Sequence, residues 1–430
     1  MTIEQQLEIL LRGTFFADEV EGSDGGEGFS TVNTATGGEE TGGRGLRAQM
    51  SAELRERLKE GRPLRVYLGA DPTRPSLHIG HFVPVQKLRV WQELGHQVVF
   101  LIGDYTGLIG DPTGQSSERK RFTHEQLMEM AKDYTQQVFR LLDPEKTEVR
   151  FNGEWLSKLS FAQIIELAAI FPLKWIVSRR DFADRLARGE SLRLHETLYA
   201  LMQGYDAHAL ECDVQVGGYD QHFNLLAGRW IQEHFGRKPH ICWTYPLLMG
   251  TDGRKMSKSY GNSIDILDTP EDMYGKCMRI SDDLLPSYID LTTNFAPAEA
   301  EALKARLREK GVNPMEIKKQ VATNLVTQYH GAEAAQAAGD QFQRVVQDKA
   351  LPDDIPEIAL PAELAGAPIA WVDLIVALNL AASKGEVRRL IAQGGFYVEQ
   401  ETITDPAATR APGGTTLVRM GKRRYFKIVG

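Results

Sequence analysis

Apolar and polar positions along this chain repeat with two periods, one suited to strands and one to helices. Val66 and Leu68 alternate with Tyr67 in a short strand pattern, and Gln97–Ile102 is a continuous apolar run of the kind found in buried parallel strands. Cys212–Val216 and Pro239–Leu248 read as further strands. Helical spacing fills the intervals. Val85, Leu88 and Trp91 follow Phe82 along one helix, with Gly95 just past its end, and helical patterns cover 123–142, 161–187 and His195–His208. Shorter helices are predicted at 3–12 and about 50–60. Strands alternating with helices predict an open parallel α/β sheet.

Downstream the pattern changes. From about 265 to 345 the chain is helical without strand signals, and 351–361, with Pro352, Pro356 and Pro361, reads as a linker. The last segment is a small α+β unit. Ser383 and Glu386 form a capping box opening a helix to about Gln393, Gly394-Gly395 ends it, and strands are predicted at Phe396–Val398, Thr402–Thr404 and Arg419–Lys427. Residues 22–45, rich in Gly, Thr and Glu, read as a flexible insertion.

With 430 residues, 42 % hydrophobic and 25 % charged, the chain has material for two or three domains of about 150 residues each. No stretch approaches the roughly 18 apolar residues of a membrane span, and no signal peptide is expected. Cys212, Cys242 and Cys277 are odd in number and far apart, which suits a reducing cytoplasm rather than a disulfide framework or a cysteine zinc site. The net charge of −8 is concentrated: residues 17–43 carry seven acidic and no basic residues, so the remainder is near neutral. Residues 382–430 hold nine Lys/Arg against four Asp/Glu, which makes the C-terminal end the candidate nucleic-acid face.

Chemistry gathers where strands end. After the first strand come Gly69, Asp71-Pro72 and Arg74-Pro75, then His78 and His81 around Gly80 at a helix start, a natural place for an anion. The two histidines lack a third partner at metal-ligand spacing. One of them merely capping the helix is the ordinary alternative. The loop Gly103–Gly114 is not a phosphate-binding P-loop, because no Gly-Lys-Ser/Thr closes it, but it sets the carboxylate Asp111 beyond a strand end. Tyr199, Gln203 and Asp206 fall on one helix face, and Gly217-Gly218-Tyr219-Asp220-Gln221 follows the next strand. The last strand delivers Lys255-Met256-Ser257-Lys258-Ser259, a cationic loop. In an open α/β sheet these strand ends meet at one rim.

His-x-Gly-His paired with Lys-Met-Ser-Lys-Ser resembles the signature pair of class I aminoacyl-tRNA synthetases. More narrowly, the chain is similar to bacterial tyrosyl-tRNA synthetases with the full lysine loop, over nearly its whole length apart from the glycine-rich insertion. The resemblance implies a Rossmann-like catalytic domain (1–260, with a dimer-interface insertion at about 145–195), a helical anticodon-binding domain (261–350), a linker (351–365) and an RNA-binding domain like that of a small-subunit ribosomal protein (366–430). It implies L-tyrosine, ATP and tRNA(Tyr) as partners, Mg²⁺ with the nucleotide, no protein-bound metal, a homodimer, and a cytoplasmic location away from membranes. On the same footing Tyr67 and Asp206 would read the substrate hydroxyl, Asp111, Tyr199 and Gln203 the ammonium, and Gln221 the carboxylate. Thr73, His78, His81, Lys255 and Lys258 would contact ATP and the transition state, and Arg119 the pyrophosphate. Gly69, Asp71, Gly80, Gly218 and Asp220 would line the nucleotide site. Lys384, Arg388, Arg389, Lys422, Arg423 and Arg424 would face RNA. One departure stands out: Gln115 lies where relatives often carry a lysine.

Two enzymes compete with this reading. A tryptophanyl-tRNA synthetase would share fold and chemistry but generally lacks the C-terminal unit. A small-metabolite adenylyltransferase would explain His78 and His81 but not the helical region or the basic end. A non-catalytic RNA-binding protein on a synthetase scaffold is the third alternative, and intact motifs speak against it.

Overall fold

Five parallel strands make the central sheet of the computed structural model: β1 (Arg65–Ala70), β2 (Gln97–Ile102), β3 (Thr147–Phe151), β4 (Val214–Gly218) and β5 (Ile241–Tyr245), in the order β3-β2-β1-β4-β5. The structure describes residues 1–16, 45–73, 77–112, 122–344, 355–361, 364, 368–410, 414–421 and 424–430. β1 pairs with β2 along its whole length and with β4 through Val66–Val214 and Tyr67–Gln215. The strand order reverses between β1 and β4, and at such a switch point the loops leaving both strands open a ligand crevice. Strand interiors are apolar on both faces, as a sheet covered by helices requires: Val98, Val99, Phe100, Leu101 and Ile102 are all buried.

β3 was not anticipated. It is an edge strand, half-buried at every position, and its Glu148 and Arg150 interrupt the apolar run that marks central strands. The long helical pattern at 161–187 is three short helices, Phe161–Ala169, Leu173–Val177 and Arg180–Ala187, broken first by Pro172 and then at Ser178–Arg179. An aromatic stack seats them: Trp175 lies 3.9 Å from Phe223 and 4.7 Å from Trp230, ring centre to ring centre.

The described residues fall into two compact units, Met1–Gly339 and Asp340–Gly430. The helical region after 261 belongs to the first. Arg12 donates to the carbonyls of Phe295 and Thr293, and Lys87 donates to those of Arg12 and Asp290, so the N-terminal helix, the helix after β1 and the helix Leu285–Thr292 share one polar junction.

The second unit is a mixed sheet with two short helices, Trp371–Ala377 and Lys384–Ala392, over a core that includes Trp371, Leu374, Phe396, Val418 and Ile428. Two sequence expectations change here. Residues Glu357–Ala359, read as linker, are a strand pairing parallel with Arg424–Val429: Ile358 is half-buried in this short edge strand. The single strand expected at Arg419–Lys427 is a hairpin, Thr415–Met420 paired with Arg424–Val429, because the chain reverses after Met420 through Gly421 at φ +67°. The helix start is as expected in part: Ser383 Oγ accepts from the Glu386 N–H, but the Glu386 carboxylate accepts from Ala382 instead of Ser383.

Candidate active site

Asp71, just beyond β1, organises the crevice. Its Oδ1 accepts from Thr106 Oγ1 at 2.7 Å and its Oδ2 from the Tyr199 hydroxyl at 2.9 Å. Thr106 Oγ1 in turn accepts from Asn152 Nδ2 at 2.9 Å, and Asn152 also donates to Asp206 Oδ2 at 3.1 Å. A β-carbon on Gly103 would collide with both Asp71 Oδ1 and Thr106 Oγ1, so glycine is required after β2 for the two loops to close. The result is one polar chain running from the end of β1 to the helix Tyr199–Ala209.

At its far end Asp206 is 2 % exposed and also accepts from Trp155 Nε1 at 2.8 Å. Burial pushes its carboxyl well above the usual range, against the pull of the Trp155 and Asn152 donors. Tyr67 is fully buried on β1, in a cluster with Leu101, Ala207, Leu210 and Cys212, with Trp155 against it. Its hydroxyl has no hydrogen-bond partner among the described residues, and burial, then the nearby Cys212 and Asp206, raise its pKa well above normal. A buried hydroxyl left unpaired is costly, so it calls for a polar group from a ligand.

On the β4 side, Gln221 Nε2 donates to Asp111 Oδ2 at 2.6 Å, and Arg179 approaches Asp111 Oδ1 at 3.5 Å. Asp220 keeps an exposed edge, yet the protein packed around it and then the Asp111 charge push its carboxyl up, opposed by Gln221 and Lys255. Lys255 therefore lies within electrostatic reach of the loop after β4. Tyr199 is fixed to Asp71 rather than to Asp111, and Gln203 is half-buried on the same helix.

The histidine turn and the lysine loop are joined. The His78 N–H donates to His81 Nδ1 at 3.3 Å, so a neutral His81 ring carries its proton on Nε2. The two rings stack at 3.6 Å. The Ile79 N–H donates to the Ile264 carbonyl at 2.9 Å, and the backbones of His78 and Asp265 pair in an isolated antiparallel bridge. Lys258 reaches Asp265 Oδ2 at 3.2 Å. The loop between is held by Asn262, 2 % exposed, which accepts from the Ser257 N–H at 2.8 Å and donates to Asp252 at 2.7 Å and to the Lys255 carbonyl at 3.2 Å. Thr73 follows the site carboxylate, its N–H donating to the Asp71 carbonyl at 2.8 Å. Gly69 is the penultimate residue of β1, near the Tyr67 ring, Gly80 sits in the first turn after His78, and Gly218 ends β4.

A family model described as tRNA synthetases class I (W and Y) matches residues 59–347. The chain is 45 % identical over 379 residues to the tyrosine–tRNA ligase of Thermotoga maritima, covering 88 % of this chain and 93 % of that one. The chain belongs to the tyrosyl-tRNA synthetase family of class I. Tyrosine–tRNA ligase 2 of Pseudoalteromonas translucida is 47 % identical over 378 residues, 87 % of this chain and 94 % of that one. Among solved structures, the tyrosyl-tRNA synthetase of Archaeoglobus fulgidus complexed with L-tyrosine matches with a TM-score of 0.58 at 22 % identity, over 79 % of this chain and 100 % of that one, a likeness of fold.

Arg119 and Gln115 lie outside the described residues, as do Lys422, Arg423 and most of the glycine-rich insertion. In the second unit Arg388 and Arg389 are exposed, Lys384 pairs with Asp373 at 2.7 Å, and Arg424 binds the Leu380 carbonyl and lies 3.6 Å from Glu386. Six residues of the site escaped the sequence reading: Thr106, Asn152, Trp155, Arg179, Asn262 and Asn224, whose Nδ2 donates to Gln221 Oε1 at 3.0 Å. Only Asn262 had a local signal, since it follows the lysine loop directly through Gly261.

Proposed function

We propose that this chain joins L-tyrosine to tRNA(Tyr) in two steps. In the first, the tyrosine carboxylate attacks the α-phosphorus of ATP, and pyrophosphate leaves as tyrosyl-adenylate forms. In the second, the tyrosyl group passes to the terminal ribose of the tRNA and AMP departs. Neither step needs a protein nucleophile, so positioning and charge stabilisation carry the catalysis.

The observation that carries the substrate assignment is the buried pair at the end of the polar chain. Tyr67 offers an unpartnered hydroxyl, and Asp206 a buried carboxylate already held by two N–H donors. A phenolic hydroxyl would donate to Asp206 and accept from Tyr67. Phenylalanine would leave both groups unpaired, and tryptophan would not match their spacing to a ring hydroxyl. Asp111 and Tyr199 stand for the ammonium side with Gln203, and Gln221 for the carboxylate. His81, donating through Nε2, together with His78, Thr73, Lys255 and Lys258, would meet charge growing on the phosphates in the transition state. Gly69, Asp71, Gly80, Gly218 and Asp220 line the nucleotide side. Mg²⁺ would accompany the nucleotide phosphates.

The exposed basic residues of the second unit, Arg388 and Arg389 foremost, would contact tRNA, and the helical region after 261 would read its anticodon. Phe161, Ile165, Leu173 and Leu194, between 55 % and 78 % exposed, supply an apolar face for a second copy of the chain. A cytoplasmic site suits the three buried free thiols. Among the described residues no helix is long and apolar enough to cross a membrane. The direct test is aminoacylation of bulk bacterial tRNA with labelled tyrosine, phenylalanine and tryptophan in parallel. Esterification of tyrosine alone is expected, and esterification of tryptophan alone would overturn the assignment.

A further inference from the structure

Arg179 is a buried guanidinium with no part in the chemistry described so far. It precedes the helix Arg180–Ala187, in the same segment that exposes Phe161, Ile165 and Leu173. Its side chain is 7 % exposed, and a charge so placed is expensive unless its donors are met. Nε donates to Asp181 Oδ1 at 2.8 Å, Nη1 reaches Asn224 Oδ1 at 3.4 Å and Nη2 reaches Asp111 Oδ1 at 3.5 Å. The cation also lies 5.1 Å from the Phe182 ring centre and 5.9 Å from that of Phe223. Asn224 Nδ2 donates to Gln221 Oε1 at 3.0 Å, and Gln221 Nε2 donates to the other Asp111 oxygen at 2.6 Å. The four side chains Arg179, Asp111, Gln221 and Asn224 thus close a ring, and each oxygen of Asp111 is approached by a different member of it.

We propose that Arg179 is a positioning residue for amino-acid binding. It holds Asp111 from behind, so that Asp111 and Gln221 present one fixed arrangement to the substrate's ammonium and carboxylate. The inference rests on reading Asp111 as an ammonium-binding group. It also ties the amino-acid site to the segment that carries the exposed apolar face, since Arg179 is seated there by the same Phe223 ring that stacks on Trp175.

The test is pyrophosphate exchange with separate tyrosine and ATP titrations for Arg179→Met, Arg179→Lys, Asp181→Asn and Asp111→Asn. Arg179→Met should raise the tyrosine KM about 10-fold while kcat and the ATP KM stay within about 2-fold, the signature of lost binding rather than lost chemistry. Arg179→Lys should recover part of the loss, because it keeps the charge but not the fork. Asp181→Asn should shift the tyrosine KM the same way by less, and it decides the matter if Arg179→Met does not fold. Arg179→Met combined with Asp111→Asn should be no worse than Asp111→Asn alone. If Asp111→Asn raises the tyrosine KM and the Arg179 and Asp181 variants do not, the positioning role falls and the site reading stands. A silent Asp111→Asn would bring down the site reading and this inference with it. A lower active-site titre with unchanged KM values in the Arg179 and Asp181 variants would reduce Arg179 to a structural residue.

Discussion

Met256 packs against Gly80: a β-carbon built on Gly80 would lie 3.4 Å from the Met256 sulfur and 3.0 Å from His78 Nδ1. Gly80 of the histidine turn and Met256 of the lysine loop are therefore neighbours, and the two motifs form one packed unit. Met256 is 5 % exposed, so it acts as the apolar anchor of an otherwise exposed cationic loop.

That contact predicts the outcome of Gly80→Ala. The added methyl must displace either the His78 ring or Met256, and either shift misplaces groups meant for the transition state. Adenylate formation in single turnover should slow by about 10-fold or more. Tyrosine binding, followed by equilibrium dialysis, should be unchanged, because the amino-acid pocket lies beyond Asp71.

Asn262 predicts a second effect on the same step. It is the only described side chain bonded to Asp252, to the Lys255 carbonyl and to the Ser257 N–H together. Asn262→Ala would free the loop at all three points. The ATP KM should rise and adenylate formation should fall by about 10-fold, with the tyrosine KM held, in steady-state exchange.

Much of this site can be read from local pattern. The turn after β1, the loop after β4 and the lysine loop each announce themselves within a few consecutive residues, and sheet topology alone brings them to one rim. The supporting residues cannot be found that way. Asn152 bonds Asp206 across 54 positions and Arg179 bonds Asp111 across 68, and neither belongs to a run with a period. Asn152 was hidden further because β3, the strand that delivers it, carries charges on a half-buried edge. In the second unit the hairpin at Gly421 was missed because basic residues on both sides of the turn continue one apparent strand pattern.

Selectivity should follow the buried pair. Asp206→Asn and Tyr67→Phe each alter a group that the substrate hydroxyl would satisfy, and an unpaired buried polar group costs about 1–3 kcal/mol. The tyrosine-over-phenylalanine ratio of kcat/KM should fall by about 10-fold to 100-fold in each variant. Ratios equal to that of the unaltered protein in both would remove Tyr67 and Asp206 from the pocket.

Lys87 predicts a pH dependence of stability. Burial, then the Arg12 charge, lowers its pKa to about 7. In the unfolded chain the ammonium keeps its proton to about pH 10.4. Between those values the unfolded state holds more protons, so the penalty for burying this lysine is complete below pH 7 and is relieved as pH rises. Denaturant melts of the unaltered protein and Lys87→Met from pH 7 to 9.5 should therefore diverge. The unaltered protein should gain stability relative to the variant by up to about 1.4 kcal/mol per pH unit. A pH-independent difference would mean that Lys87 stays charged in the fold.

Whether this rim activates tyrosine is decided by ATP–pyrophosphate exchange without tRNA, with tyrosine, phenylalanine and tryptophan supplied separately. Exchange is expected with tyrosine, and with the other two only at a small fraction of that rate. Exchange with tryptophan alone would keep the fold and the chemistry but remove Tyr67 and Asp206 from their roles, and no exchange with any of the three would mean that this rim does not activate an amino acid.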